Sequence, residues 1–211
     1  TVTDPHAAKL VDNLDKPGKN ISGTSDAIPL DANLDFVRDI LPDARRLGHL
    51  YNPGDANSVS TLAKLKVAAA ERGMEVVERA VGKSSETRDA AQSLVGKADV
   101  IWVGMDNTVV SSLESALQVA EKHQLPLVAS DVESVGRGAL AALGYDAYLA
   151  GKQTGVMVAK VLKGANPGDL PVEFAQNFER VINSTAAEKM GVVIAPDVLD
   201  SARVIVGEKE Q

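Results

Sequence analysis

The chain has 211 residues, 45% of them apolar, a formal net charge of −7 and no cysteine. That length suits one large domain or two small lobes with a real core. An acidic balance spread along the chain excludes the electrostatic footprint of a nucleic-acid binder and docking on an anionic membrane surface. The lack of cysteine excludes disulfides, thiolate metal sites and a cysteine nucleophile.

The predicted elements run in a regular beat. Pro5 to Leu14 reads as a short helix broken by Pro17-Gly18, and Asn20 to Thr24 as a strand. Leu30, Leu34, Val37 and Leu41 recur at helical spacing up to Pro42. A strand is expected over 47–51, a helix from Asn57 to Arg72 closed by Gly73, and a strand over 74–79. A helix from Thr87 to Val95 follows, opened by Ser84 or Ser85, then a strand over 99–103. A single helix from Val109 to Lys122 and a strand over 125–129 complete this part. Strands alternating with helices of this length predict a parallel sheet covered on both faces, and the right-handed crossover rule gives its four strands the order 2-1-3-4.

The rest departs from that beat. Ala139 to Leu143 is expected as a strand, Ala147 to Leu162 as a helix, Val172 to Val181 as one long strand and Ala186 to Met190 as a short helix. The tail Glu208 to Gln211 reads as a solvated end. The stretch Gly138 to Gly144 is far too short to span a bilayer, and Thr1 to Pro5 shows no signal-peptide pattern.

In open α/β sheets ligands bind beyond the carboxyl ends of the strands. Those ends here carry Tyr51-Asn52-Pro53-Gly54, Asp106-Asn107-Thr108 and Ser130-Asp131, all on one sheet edge. Asn107 or Thr108 is expected to cap the helix that follows, so that its free N–H groups offer an anion site beside the fixed charge of Asp106. A zwitterion would then place its carboxylate on those N–H groups and its ammonium on Asp106 or Asp131. The plainer alternative is a capped helix and a solvated turn. Tyr51 is either a ligand contact or a half-buried rim residue, and Trp102, mid-strand, reads as core. His6, His49 and His123 lie on separate elements without ligand-like neighbours, so no metal site is expected. Gly82-Lys83-Ser84 lacks the earlier glycine of a phosphate loop, since Val77 stands there. No serine sits in a nucleophile elbow, no Gly-x-Gly-x-x-Gly loop is present, and neither a catalytic residue nor a cofactor is expected.

Several segments in order carry a resemblance: Val2-Thr3-Asp4-Pro5, Gly23-Thr24-Ser25-Asp26, Leu50-Tyr51-Asn52-Pro53-Gly54, Asp106-Asn107-Thr108-Val109, Ala129-Ser130-Asp131, Arg137-Gly138-Ala139-Leu140-Ala141 and Gly151-Lys152-Gln153-Thr154-Gly155. The set resembles the ABC-transporter substrate-binding family that includes the tryptophan/tyrosine-binding proteins, over nearly the whole chain. The resemblance implies an α/β, type I periplasmic-binding fold of two doubly wound parallel-sheet lobes, lobe one incomplete, with ligand in an interlobe cleft. It maps 1–26 as a remnant of lobe one, 27–137 as lobe two, 138–180 as the return to lobe one, and 181–211 as the C-terminal crossing and helix on lobe two. It puts Asp4, Ser25, Tyr51, Asn52, Asp106, Asn107, Thr108, Ser130 and Asp131 near the ligand, which is a small molecule, an amino acid and among these an aromatic one first.

The resemblance also implies export with a signal peptide, a periplasmic or extracytoplasmic location, often as a lipoprotein, and an ABC permease and ATPase as partners. The alternative within this fold is the ligand-sensing effector domain of a regulator or receptor. Gly104-Met105 departs from the more polar pair expected before Asp106. About three β-α units of lobe one are also missing from the pattern, on the order of 90 residues at roughly 30 per unit. The helix from Ala147 to Leu162 would then leave Tyr148, Val156, Ala159 and Leu162 bare, and an exposed apolar face, a partner chain covering residues 139–162 or a rearranged lobe is expected.

Overall fold

A computed structural model describes residues 2–205, so the tail Glu208 to Gln211 lies outside the described residues. The chain divides into two compact units, 29–144 with 179–211 and 1–28 with 145–178. In chain order the elements are β1 (Thr24–Ser25), α1 (Leu30–Ile40), β2 (Arg46–Tyr51), α2 (Ala56–Glu71), β3 (Glu75–Ala80), α3 (Thr87–Gln92), β4 (Val100–Val103) and α4 (Asn107–Val110). They continue with α5 (Leu113–His123), β5 (Leu127–Ala129), α6 (Glu133–Gly136), β6 (Ala141–Tyr145) and α7 (Ala147–Leu162). Last come β7 (Glu173–Phe174), β8 (Phe178–Asn183), α8 (Ser184–Lys189), α9 (Pro196–Asp200) and β9 (Arg203–Ile205).

The larger unit is built on a seven-stranded sheet ordered β3-β2-β4-β5-β6-β8-β9. Strands β3, β2, β4 and β5 pair in parallel, in the predicted 2-1-3-4 order. Strand β4 is apolar at every position and wholly buried, as a strand covered on both faces must be. Its register with β2 is locked at the amino end. Asp99 Oδ2 accepts the backbone N–H groups of Arg45 at 2.9 Å and Arg46 at 2.7 Å, and Asp99 Oδ1 takes the Arg46 guanidinium at 2.6 Å. Burial pulls the Asp99 carboxyl upward. The Arg46 guanidinium and the two N–H groups outweigh it and hold the group below its ordinary value.

Strand β2 carries Gly48 under the end of α3. A Cβ there would stand 2.9 Å from Leu94 Cδ1 and 3.0 Å from Ala98 Cβ, so only glycine admits this approach. Helix α2 starts on Asp55, whose carboxylate accepts the Asn57 N–H at 2.8 Å, and stops at Gly73 with φ of 66°.

Four local expectations change. The helix expected over 109–122 is two helices, α4 and α5. At the break the hydroxyls of Ser111 and Ser112 donate back to the Thr108 carbonyl at 3.0 and 2.9 Å, in place of the helical ladder. The helix expected over 5–14 is a turn, because Lys9 adopts the left-handed conformation and Asn13 takes the N–H groups of Asp15 and Lys16. The long strand expected over 172–181 is split into β7 in the smaller unit and β8, whose run from Glu179 lies in the larger. Strand β6 pairs with β5, so residues expected to return to lobe one belong to the larger unit's sheet up to Gly144.

The smaller unit holds the parallel pair β1-β7 and helix α7. Asp146 caps α7 by accepting the Leu149 N–H at 3.0 Å, Thr154 donates to Thr24 Oγ1 at 2.8 Å, and Met157 is buried against the strand. The other side of α7 is bare: Tyr148 is 73% exposed, Val156 59% and Leu162 83%. Of eleven exposed large apolar side chains among the described residues, seven lie on this unit, which is the shorter of the two. Leu140 and Leu143, by contrast, are buried, and they belong to the larger unit. No helix among the described residues is long and apolar enough to cross a membrane.

Candidate functional site

The carboxyl ends of β2 and β4 meet through one residue. Asp106 is 2% exposed and forms the N-cap of α4. Its Oδ1 accepts the N–H groups of Thr108 at 2.9 Å and Val109 at 3.0 Å. Its Oδ2 accepts the Asn52 backbone N–H at 2.6 Å and the Ser58 hydroxyl. Four donors around one buried carboxylate leave it nothing to offer an ammonium group.

Two parts of the zwitterion reading are therefore corrected. The cap is Asp106 rather than Asn107 or Thr108, and the N–H groups near Thr108 are already spent on it. The physical reason is that the carboxylate reaches the N2 and N3 donors of the turn it precedes, which also removes the cost of burying its charge. Asn107 is the first helical residue and points to solvent as an exposed side chain.

The remaining residues of this edge are positioned by the same network. The Asn52 amide donates to Thr108 Oγ1 at 2.8 Å, while Asn52 Oδ1 accepts the Gly54 N–H at 2.8 Å. The Thr108 carbonyl receives the hydroxyls of Ser84, Ser111 and Ser112. Tyr51 is half-buried and stacks on His49, with ring centroids 6.3 Å apart and planes within 11°. His49 is itself fully buried, donates Nδ1–H to the Trp102 carbonyl at 3.1 Å and leaves Nε2 without a partner among the described residues. Burial holds its pKa below the ordinary histidine value. Trp102 is core, as read from its place in the strand, and donates Nε1–H to Asn33.

On the next strand end, Ser130 is fully buried and its hydroxyl has no hydrogen-bond partner among the described residues. Asp131 accepts the backbone N–H and the hydroxyl of Ser134 at 2.9 and 2.7 Å and so opens the turn of α6. Strand β6 presses on this turn at Gly144, where a Cβ would stand 2.7 Å from the Ser130 carbonyl oxygen.

In the smaller unit, Asp4 accepts the Ala7 N–H at 2.9 Å. Ser25 is buried, donates to the Thr3 carbonyl at 2.9 Å and accepts the Ala27 N–H at 3.1 Å. Beside it Asp26 is 7% exposed, with Oδ1 unpartnered among the described residues. Sequence reasoning missed both Asp26 and Ser58 as polar groups of interest. Asp26 stood inside a quoted segment without a spacing signal, and Ser58 looked like any first-turn serine.

A doubly wound parallel sheet with polar strand ends, and a second unit joined to it by three chain passages, is the framework of a binding protein of the periplasmic type. The chain matches the model of the ABC transporter substrate-binding protein family over residues 1–206 and belongs to that family, which is one of binders rather than enzymes.

A tyrosine-binding protein from Clostridioides difficile is 41% identical over 86% of this chain and 53% of its own length. A solved conserved domain protein from Vibrio cholerae superposes with a TM-score of 0.93 at 41% identity, covering 98% of this chain and 69% of that one. An ABC domain in complex with L-Trp from Streptococcus pneumonia superposes at 0.91 with 33% identity, covering 97% and 72%. Periplasmic sugar-binding and LacI-family structures at 8–14% identity and TM-scores of 0.54–0.57 share the type I periplasmic-binding fold alone. The chain spans about half the length of the curated relatives it matches.

Proposed function

We propose that this protein captures an L-amino acid, an aromatic one first, for an ABC importer. Two lobes close over the ligand, and the shut form presents it to a membrane permease driven by an ATPase. The protein works outside the cytoplasm, exported by a signal peptide and held as a lipoprotein. The observation that carries the reading is the 41% identity to a protein named for tyrosine binding, supported by a structural relative holding L-Trp. Tyr51 offers an aromatic surface, and Asn52, Thr108, Ser130 and Asp131 offer polar contacts on one sheet edge of the larger unit; in the smaller unit Asp4 and Ser25 are taken as ligand contacts. Asp106 serves by holding that edge in shape, and Asn107, exposed beside it, is a further polar contact for the ligand.

A partner chain is proposed over the bare face of α7 only. Residues 139–143 of the expected surface are already buried.

The test is isothermal calorimetry of the full-length protein against the twenty L-amino acids, with mass spectrometry of whatever small molecule survives purification. Tight binding of tyrosine or tryptophan without turnover supports the reading. Binding of a sugar and of no amino acid overturns it.

A further inference from the structure

Strand β2 carries a titratable ring two residues short of its polar end. His49 is buried between two aromatic neighbours. Tyr51, two positions on and so on the same side of the strand, stacks on it with the planes within 11°. Trp102, its register partner on β4, lies with ring centroids 5.2 Å apart. The Trp102 carbonyl accepts Nδ1–H of His49 at 3.1 Å, which fixes the imidazole's orientation, and the Trp102 indole is tied in turn to Asn33 on α1. Gly104 lets the group close up, since a Cβ there would stand 3.1 Å from Trp102 Cζ3 and 3.6 Å from His49 Cε1. A file of rings thus runs from buried Trp102 through His49 to half-buried Tyr51.

This packing suits one protonation state. With the proton on Nδ1, Nε2 is a bare acceptor without a partner among the described residues. A second proton would create a charge and an N–H donor in a buried place that offers it no acceptor among those residues. Two charged groups act on the ring, Asp106 at the N-cap of α4 and Glu78, its register partner on β3, and both favour the cation. Asp106 is already surrounded by four donors, and burial, the larger effect, favours the neutral ring. The cation is satisfied only by turning out of the file towards solvent. We propose that His49 is a positioning residue through which pH governs ligand binding: the neutral ring holds Tyr51 in place at the sheet edge, and the protonated ring releases it. This rests on the reading of Tyr51 as a ligand contact. By linkage, a ligand that binds the neutral form loses affinity as the pH falls, by up to about tenfold per pH unit for a single proton. Capture is favoured at neutral pH and release in acid.

The experiment is calorimetry of the full-length protein with L-tyrosine and L-tryptophan from pH 7 to pH 5, on wild type, His49→Phe and Tyr51→Leu. Circular dichroism and melting at each pH establish that each variant is folded, and His49→Gln, which is neutral throughout, serves where the phenylalanine variant is not. Wild-type affinity should fall with acid. His49→Phe keeps a ring beneath Tyr51 without a titrating group and should lose that dependence. Tyr51→Leu should bind more weakly and lose the dependence too, because nothing is left for His49 to hold. The same pH dependence in wild type and the His49 variant overturns the proposal while leaving amino-acid binding intact, as does a dependence that survives in Tyr51→Leu. Failure of the wild type to bind any amino acid at either pH overturns the functional reading and the proposal with it.

Discussion

The side-chain amide of Asn52 donates to the hydroxyl of Thr108 at 2.8 Å, joining the ends of two neighbouring strands that are 56 residues apart in the chain. Asp106 makes the same junction through the backbone of both segments. The edge that meets a ligand is thus held by internal polar contacts, and its residues divide into those that hold the edge and those that remain to bind.

Asp106 belongs to the first group. Asp106→Ala strips the partner from four donors, three of them backbone N–H groups. It should destabilise the larger unit by about 3 kcal/mol or more, on the scale of breaking a buried hydrogen-bonded charge. Urea denaturation checks this, and a variant as stable as wild type contradicts the network described.

His49 makes stability depend on pH. Its folded pKa is lowered by burial, although the Trp102 carbonyl and the charges of Asp106 and of Glu78, its register partner on β3, act the other way. A depressed value means that the unfolded chain binds the proton more readily. The contribution is complete above the unfolded pKa of about 6.5 and is lost as the pH falls below it towards the folded value. Unfolding free energy should drop between pH 7 and pH 5, and His49→Phe should flatten that drop, since phenylalanine keeps the ring and does not titrate.

Gly144 sets the Ser130-Asp131 turn. Its missing Cβ leaves room for three backbone atoms, the Ser130 oxygen, Asp131 Cα and Val132 N, all within 3.1 Å of where that carbon would be. Gly144→Ala must push the turn aside. A cost of about 1–3 kcal/mol in stability is expected, together with weaker ligand binding because Ser130 moves. A variant with lower melting temperature and unchanged affinity would separate the turn from the ligand.

Helix α7 tests the partner surface. Burial of a large apolar side chain contributes roughly 1.5–3 kcal/mol, whereas substitutions at exposed positions usually change stability by about 0.5 kcal/mol or less. Leu162→Asp should therefore weaken association with the partner chain by about 2 kcal/mol, read in analytical ultracentrifugation, and change the stability of the isolated chain by about 0.5 kcal/mol or less.

Residues 46–129 were legible in the sequence because their signals are local. Continuous apolar runs such as Val100 to Val103, helix stops such as Gly73 and Gly96, and short connections leave one parallel order open. The bounds of helix α7 match the expected 147–162, with Asp146 at its cap, although the buried face is that of Ala150 and Met157 rather than that of Tyr148, Val156 and Leu162. Polar strand ends drew the eye to Tyr51, Asn52, Asp106, Thr108 and Ser130 because they share one edge of any such sheet.

Which of these residues binds and which one holds was decided only in three dimensions. Asp106 looked like a ligand's counter-charge until the Asn52 N–H and the Ser58 hydroxyl, 54 and 48 residues away, were found on its second oxygen. The same holds for the break at Ser111-Ser112, where hydroxyls reach back to one carbonyl, and for β6, whose place beside β5 follows from pairing across the sheet. Pattern and propensity act over a few residues along the chain. A hydrogen-bond donor is claimed by whatever acceptor the fold brings within about 3 Å of it, and the order of residues in the chain does not specify that distance.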